Sequence, residues 1–358
     1  MKIAHVEAVH LAIPSHYDGP QPRAAAQWPK VEMLLVRVAT DDGLVGWGEG
    51  FGHAASTTTK AALESLVAPL CLGADATDPE GLNARVTRAL HAYGPGGPVL
   101  FALSGVDIAL WDIRGKVRAE PIHRLLGAEL VRPRVPAYAS LLRYGDPELV
   151  AAAVHEAVAR GHRAVKLHEA DPATVAAARA AAGSAVDLML DVNGRWPLEQ
   201  ALAAAREVAP YELRWLEEPV WPLERGIVAQ IATETRVPLA AGENVGSIAA
   251  LAALADAGVS FLQPSAAKLG GLTALTRAAA RLADEGVGLA PHSAYFGPAL
   301  AATIHFCAAA GASCEWYGCR LEANPCGLAP VGGELEVPRG PGLGIDVDPA
   351  ILTEYRVR

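Results

Sequence analysis

Asp191, Glu217 and Glu243 stand at equal intervals, 26 residues from each to the next. Two of them close apolar runs, Leu188-Met189-Leu190-Asp191 and Trp215-Leu216-Glu217, of the kind that forms a buried strand. A single acid in such a place would read as a helix cap or a solvated loop residue. Three in register point to a shared ion, because anions brought so close repel unless a cation sits among them. Hard carboxylate oxygens, with room left for water and a substrate, suit Mg2+. Upstream, Lys166 and His168 alternate on one predicted strand and so face the same way. A Lys beside a metal and a second cationic group loses proton affinity, and imidazole is a base near neutral pH, so either can take a proton.

For these residues to meet, the chain between them must repeat a unit. From about Val135 it does. Strand candidates begin near Val135, Ala164, Asp187, Leu213, Pro238, Phe261, Gly288 and Ser313, with 23 to 29 residues between starts. Ala-rich helical stretches fill the gaps, such as Pro147 to Arg160 and Ser247 to Ala257, several closed by glycine. Eight such units predict an α/β fold of the TIM type, whose chemistry lies at the C-terminal strand ends. No Gly-rich phosphate loop follows the first strand, which argues against a doubly wound sheet. The strand-end positions are Lys166 and His168, Asp191 and Asn193, Glu217 and Glu218, Glu243 and Asn244, Ser265, Lys268, His292 and Glu315. Before the barrel, roughly residues 1–125 read as an α+β module. Val6 to Ile13 alternates like a strand, Met33 to Thr40 and Leu44 to Trp47 flank an Asp41-Asp42-Gly43 turn, and Phe101 to Val117 has helical periodicity.

The 358 residues suffice for a large barrel and a smaller domain. A formal charge of −9 argues against a nucleic-acid partner. No stretch resembles a membrane span, and Glu7 and His10 interrupt any signal-peptide core, so the expected location is cytoplasmic. Five cysteines without zinc-knuckle spacing read as reduced and mostly buried thiols.

Asp191-x-Asn193, Glu217-Glu218-Pro219 and Gly242-Glu243-Asn244 on successive strands resemble the mandelate racemase branch of the enolase superfamily. Val45-Gly46-Trp47-Gly48-Glu49 and the stretch from Ala102 to Asp112 are similar to that family's N-terminal capping domain, and Gly340-Pro341-Gly342-Leu343-Gly344 to its C-terminal ending. The resemblance implies a capping domain over residues 1–125, a (β/α)7β barrel over 126–335, and a segment 336–358 that returns to the cap. It implies Mg2+ on Asp191, Glu217 and Glu243, and removal of the proton next to a substrate carboxylate. A divalent cation favours that step by stabilising the charge that accumulates on the carboxylate.

The family pattern on the second barrel strand is Lys-x-Lys; here His168 stands at the second place. His168 is the candidate base and Lys166 its electrostatic partner, with the reverse assignment open. His292 matches the family's second acid/base, but the Asp that would orient it is replaced by Ser265. A hydroxyl brings no negative charge, so His292 is expected to be a poorer base that can still donate a proton. Lys268, three residues beyond Ser265, should point the other way and form a structural salt bridge. Glu315 resembles the carboxyl that hydrogen-bonds the enolate side of the substrate.

In the family the capping loops choose the substrate; here they offer His16, Arg23 and His53, which with Asn193 are the candidate substrate-binding residues. Trp28 and Tyr144 could stack on a sugar face, and buried packing explains them equally well. Polar groups of this kind suit a hydroxylated acid. The leading expectation is dehydration of an acid sugar to a 2-keto-3-deoxy acid. The alternatives are a racemase, epimerase or lactone cycloisomerase, or a metal-binding barrel whose activity has decayed. The family habit also implies a homo-oligomer.

Overall fold

The Asp41-Asp42-Gly43 turn joins the second strand of the first sheet to its neighbour at the edge. The structure is a computed structural model that describes residues 1–357 apart from 18, 27, 129–131 and 222–223. Strands β1 (Ile3–His16), β2 (Lys30–Thr40) and β3 (Val45–Gly50) pair antiparallel in that order. The long helix Gly97–Arg118 packs directly on β3. The glycines of β3 make this contact possible: a Cβ on Gly48 would stand 1.9 Å from the Gly105 carbonyl oxygen, and one on Gly46 2.3 Å from that of Ala109. Any side chain there would force the helix off the sheet.

The repeating half gives β4 (Arg134–Ser140), β5 (Ala164–Leu167), β6 (Asp187–Asp191), β7 (Trp215–Glu217), β8 (Leu239–Ala241), β9 (Phe261–Leu262), β10 (Gly288–Leu289) and β11 (Cys314–Tyr317). Every expected start lies within two residues of an observed one. The parallel order is β10-β9-β8-β7-β6-β5-β4-β11. Tyr138, Met189, Trp215, Ala240 and Ala290, from β4, β6, β7, β8 and the residue after β10, meet in one interior cluster. Only a sheet curled on itself brings those strands together, and this is the α/β barrel expected. Among the described residues no backbone ladder joins β10 to β11. A larger apolar layer, including Val150, Val165, Leu188, Leu216 and Leu251, seals helices onto the outside of the wall. Beyond it, β12 (Arg320–Leu321) pairs with β1, and β13 (Glu334–Glu336) with β4. No helix among the described residues is long and apolar enough to cross a membrane. All five cysteines are free thiols, four of them buried.

Buried acids of the N-terminal module join it to the barrel. Glu49 accepts the Ala299 N–H at 3.0 Å, at the start of the helix Pro298–Ala310. Asp107 accepts the Thr273 N–H at 3.0 Å, at the start of the helix Gly271–Leu282. Both use the unsatisfied donors and positive end of a helix N-terminus. Asp112 accepts N–H groups from Trp47 and Leu343, each at 2.9 Å, tying the C-terminal segment to the same helix.

That segment is also held by two stacked histidines. His305 Nε2 lies 3.0 Å from the Leu343 carbonyl, which can only accept, so Nε2 carries the proton. His305 Nδ1 is then the acceptor for the Nδ1–H of His123 at 3.0 Å and for its backbone N–H at 3.3 Å. A second proton on His305 would face a donor. Burial holds its pKa down to about 4, below the ordinary 6.5. Because the folded value is depressed, the stability due to this ring is complete above the ordinary value and falls as pH drops toward 4. Between about pH 7 and about pH 5 the parent should lose roughly 2 kcal/mol more unfolding free energy than His305→Gln. Urea unfolding at both pH values checks this, and equal losses in the two proteins would show that another group titrates.

Candidate active site

The C-terminal ends of the barrel strands carry a buried ionic cluster. Asp191 ends β6, Glu217 ends β7 and Glu243 lies two residues beyond β8. All three are buried, and one carboxylate oxygen from each lies within 4.8 Å of the others, a grouping able to hold a metal ion. Trp215, in the barrel interior, donates its indole N–H to Glu217 Oε2 at 3.0 Å and fixes that carboxylate from below. Lys166 on β5 is fully buried. Its Nζ lies 3.2 Å from Asp191, 2.9 Å from Glu217 and 2.8 Å from Glu315 on β11. Burial alone would lower the Lys166 pKa, but Glu217, Glu315 and Asp191 together drive it well above its usual value. Against the penalty of burial, Lys166 and His168 hold Asp191 down to about 2, whereas burial and Asp191 push Glu217 up. The set is short of positive charge.

His168 follows β5 with its Nδ1 2.6 Å from the Leu141 carbonyl. A carbonyl only accepts, so Nδ1 carries the hydrogen and Nε2 bears the lone pair in the neutral ring. Nε2 faces the cluster, 3.3 Å from Asp191 Oδ2. The structure thus gives His168 the tautomer a base requires.

His292, three residues beyond β10, departs from expectation. Ser265 does not hold its ring: the Ser265 hydroxyl pairs with that of Tyr295 at 2.7 Å, both groups buried. His292 Nδ1 lies instead 2.9 Å from Glu243 and 3.0 Å from Glu315. Neither carboxylate lies in line for a straight hydrogen bond to Nδ1, so the attraction is that of an ion pair. Burial opposes the charged ring, but the two carboxylates raise its pKa to about 9. The negative charge missing at Ser265 is supplied from β11 and the end of β8.

Lys268 also corrects the sequence reading. The chain from 263 to 270 is a turn rather than a continued strand, so alternation does not apply, and Lys268 reaches the mouth. It is 6 % exposed, with Nζ 3.0 Å from Asn244 Oδ1, 3.6 Å from Glu243 and 4.5 Å from the centre of the Phe51 ring. Asn244 in turn donates to Glu243 at 2.9 Å and to Glu218 at 3.4 Å. Glu218 is buried at φ +41° with Oε1 unpartnered. Burial, then Glu243 and Asp191, push its pKa up to about 8.

The candidate substrate-binding residues spread more widely. His53 lies at the mouth, edge-on to Trp28 at 5.4 Å, with Nδ1 buried and unpartnered. Burial, then the nearby charges of Lys268 and His292, bring its pKa down to about 4. Asn193 is exposed at φ +49°, its backbone N–H donating to Asp191 Oδ1 at 2.9 Å. His16, at the end of β1, is paired with Glu322 at 3.6 Å rather than with any member of the cluster. Arg23 is exposed at the rim. Tyr144 is packed in the apolar layer outside the strands, so burial explains it and sugar stacking does not.

Lys166→Met removes one partner of a buried ionic set, which typically costs about 3–5 kcal/mol. Urea unfolding of the chelator-treated protein at about pH 8 should show that loss, with partial recovery toward about pH 5 as the carboxylates take up protons. A variant as stable as its parent at the higher pH would mean that the ammonium does not compensate the cluster.

Known proteins share this arrangement of parts. The pattern described as "Enolase C-terminal domain-like" matches residues 149–351, and that of "Mandelate racemase / muconate lactonizing enzyme, N-terminal domain" matches residues 6–127. A D-galactonate dehydratase of Ralstonia pickettii is 33% identical over 354 residues, covering 90% of each chain. A D-galactarolactone cycloisomerase of Agrobacterium fabrum is 31% identical over 387 residues, covering 100% of this chain and 99% of the relative. The crystal structure of the 3,6-anhydro-D-galactonate cycloisomerase from Zobellia galactanivorans superposes with a TM-score of 0.88 at 28% identity, with 100% of each chain covered. With both halves matched and relatives spanning its length, the chain belongs to the mandelate racemase/muconate lactonizing enzyme family of the enolase superfamily and is an enzyme of that type.

Proposed function

We propose that the enzyme removes the proton next to the carboxylate of an acid sugar and expels the β-hydroxyl, giving a 2-keto-3-deoxy acid. One observation supports the reading: His168, its Nδ1 engaged by the Leu141 carbonyl, presents Nε2 to a buried three-carboxylate cluster, five strands around the barrel from a second histidine. Asp191, Glu217 and Glu243 would hold Mg2+, a fit supported by their oxygen-only donors and mutual distance. Bound there, Mg2+ would stabilise the negative charge that builds on the substrate carboxylate. Lys166, charged and fixed by three acids, does the same from the other side and is not the base. His168 Nε2 takes the α-proton, and the electron pair of that bond moves toward the carboxylate. As the pair returns to form the Cα–Cβ double bond, the β-hydroxyl departs with a proton from His292 and leaves as water. The enol then tautomerises to the keto acid.

A cycloisomerase is the second reading, supported by two relatives with that activity that cover the whole chain. It uses the same α-proton but a ring oxygen as leaving group. NMR of an acid-sugar and lactone library with the enzyme, Mg2+ and D2O separates the readings. Dehydration gives a keto-deoxy product smaller than its substrate by one water, cycloisomerisation opens the ring to a keto-deoxy acid isomeric with its substrate, and α-deuterium exchange without elimination would move the reading to an epimerase. His168→Gln should lower turnover by about 10²–10⁴ while Mg2+ binding by calorimetry stays intact. Full activity in that variant would remove His168 as the base.

A further inference from the structure

Three arginines lie at the C-terminal ends of the strands that flank that of His168 or against the loop beside them. Arg143 lies three residues beyond β4, Arg195 four beyond Asp191 at the end of β6, and His168 itself follows β5, the strand between them. At most about 13 Å of chain separates Arg195 from Asp191. Arg23 comes from the N-terminal module: its Cδ, Nε and Cζ lie 3.4–3.5 Å from where a Cβ on Gly145 would stand.

The loop between is fixed by Glu169, 2 % exposed, whose Oε1 accepts the Tyr144 N–H at 2.7 Å and the Gly145 N–H at 3.2 Å. Arg143 and Arg195 are close enough to feel each other's charge and that of Glu169. Yet none of the three arginines has an ion pair within 4 Å among the described residues, whereas Lys166, Lys268 and His292 are all paired. Other exposed arginines among the described residues also lack partners, but Arg143 and Arg195 follow the two strands that flank the strand of His168, and Arg23 lies against the loop of Arg143, in a chain with nine more acids than bases. Like charges gathered without a counter-ion repel unless an anion arrives, and the planar guanidinium fork fits a carboxylate.

We propose that Arg23, Arg143 and Arg195 form a subsite for a second carboxylate at the far end of the substrate, making the preferred substrate a sugar diacid or its monolactone. The inference rests on the acid-sugar reading above and names the class within it. The subsite is completed across the domain boundary by Arg23, so it forms only when the module is seated on the barrel.

The test is calorimetry of the Mg2+-loaded protein with two flexible, unreactive probes of equal length, adipate and 6-hydroxyhexanoate. Adipate should bind about tenfold or more tightly, the usual worth of a charge-assisted contact. The double variant Arg143→Gln, Arg195→Gln should bring adipate to the level of the hydroxy acid and leave the hydroxy acid unchanged. In turnover it should raise KM for diacids with little change in kcat and spare monoacids.

Equal binding of the two probes by the parent overturns the proposal, as does equal weakening of both by the double variant. Tighter binding of the phosphate ester of 6-hydroxyhexanoate than of adipate overturns it in favour of a phosphorylated acid. Because the binding comparison needs no turnover, absence of dehydration would sink the functional reading alone. Dehydration of monoacids and diacids at equal efficiency would sink the subsite alone.

Discussion

The site is governed by the mutual repulsion of buried carboxylates. Asp191, Glu217, Glu218, Glu243 and Glu315 are each at most 8 % exposed at one end of the barrel. No fold keeps so many anions there without fixed positive charge, because burial removes the water that would screen them. Lys166, Lys268 and His292 provide part of that charge, each within 3.6 Å of a carboxylate. The same shortage makes the site reactive. A metal ion and a substrate carboxylate, as proposed, would enter a cavity already arranged around charge, so little reorganisation would be needed as charge develops.

The module that covers the mouth is held by a milder form of the same electrostatics. Glu49 and Asp107 reach from it to the N-termini of two barrel helices, where unsatisfied N–H groups and the helix dipole receive an acid. Burial raises both pKa values, Glu49 to about 8 and Asp107 to about 7. One of those helices begins six residues after His292, so the contact that seats the cover also anchors the chain carrying the second histidine. This explains the Gly-Trp-Gly-Glu stretch physically. Its glycines admit the long helix, and its Glu crosses to the barrel.

Periodicity and spacing made the scaffold legible and strand-end position made the ionic cluster legible, because both follow from local rules. All eight barrel strands could be placed from the spacing, and alternation brought Lys166 and His168 to one side. The errors began where strands ended. Alternation was carried past Leu262 into a turn, which hid Lys268 from the mouth. For Tyr144 the sequence leaves sugar stacking and buried packing equally open, because nothing local says which way a loop aromatic turns. The Ser265–Tyr295 pair joins residues 30 apart, and the loop that carries Arg143 is held by the distant Glu169. Contacts of this sort depend on packing, and no sequence window contains them.

The loss of the family Asp at Ser265 takes its meaning from those contacts. A hydroxyl satisfied by Tyr295 leaves His292 free of a dedicated partner on its own side of the mouth. The ring therefore leans toward Glu243 and Glu315, where anionic neighbours favour the protonated form. His168 is the opposite case, its Nδ1–H bound to a neutral carbonyl and its Nε2 facing the cluster. In the proposed reaction one histidine would accept a proton and the other would give one. A racemase needs two groups that exchange those roles, whereas the proposed elimination needs them fixed, and the asymmetry of these two environments supports that proposal.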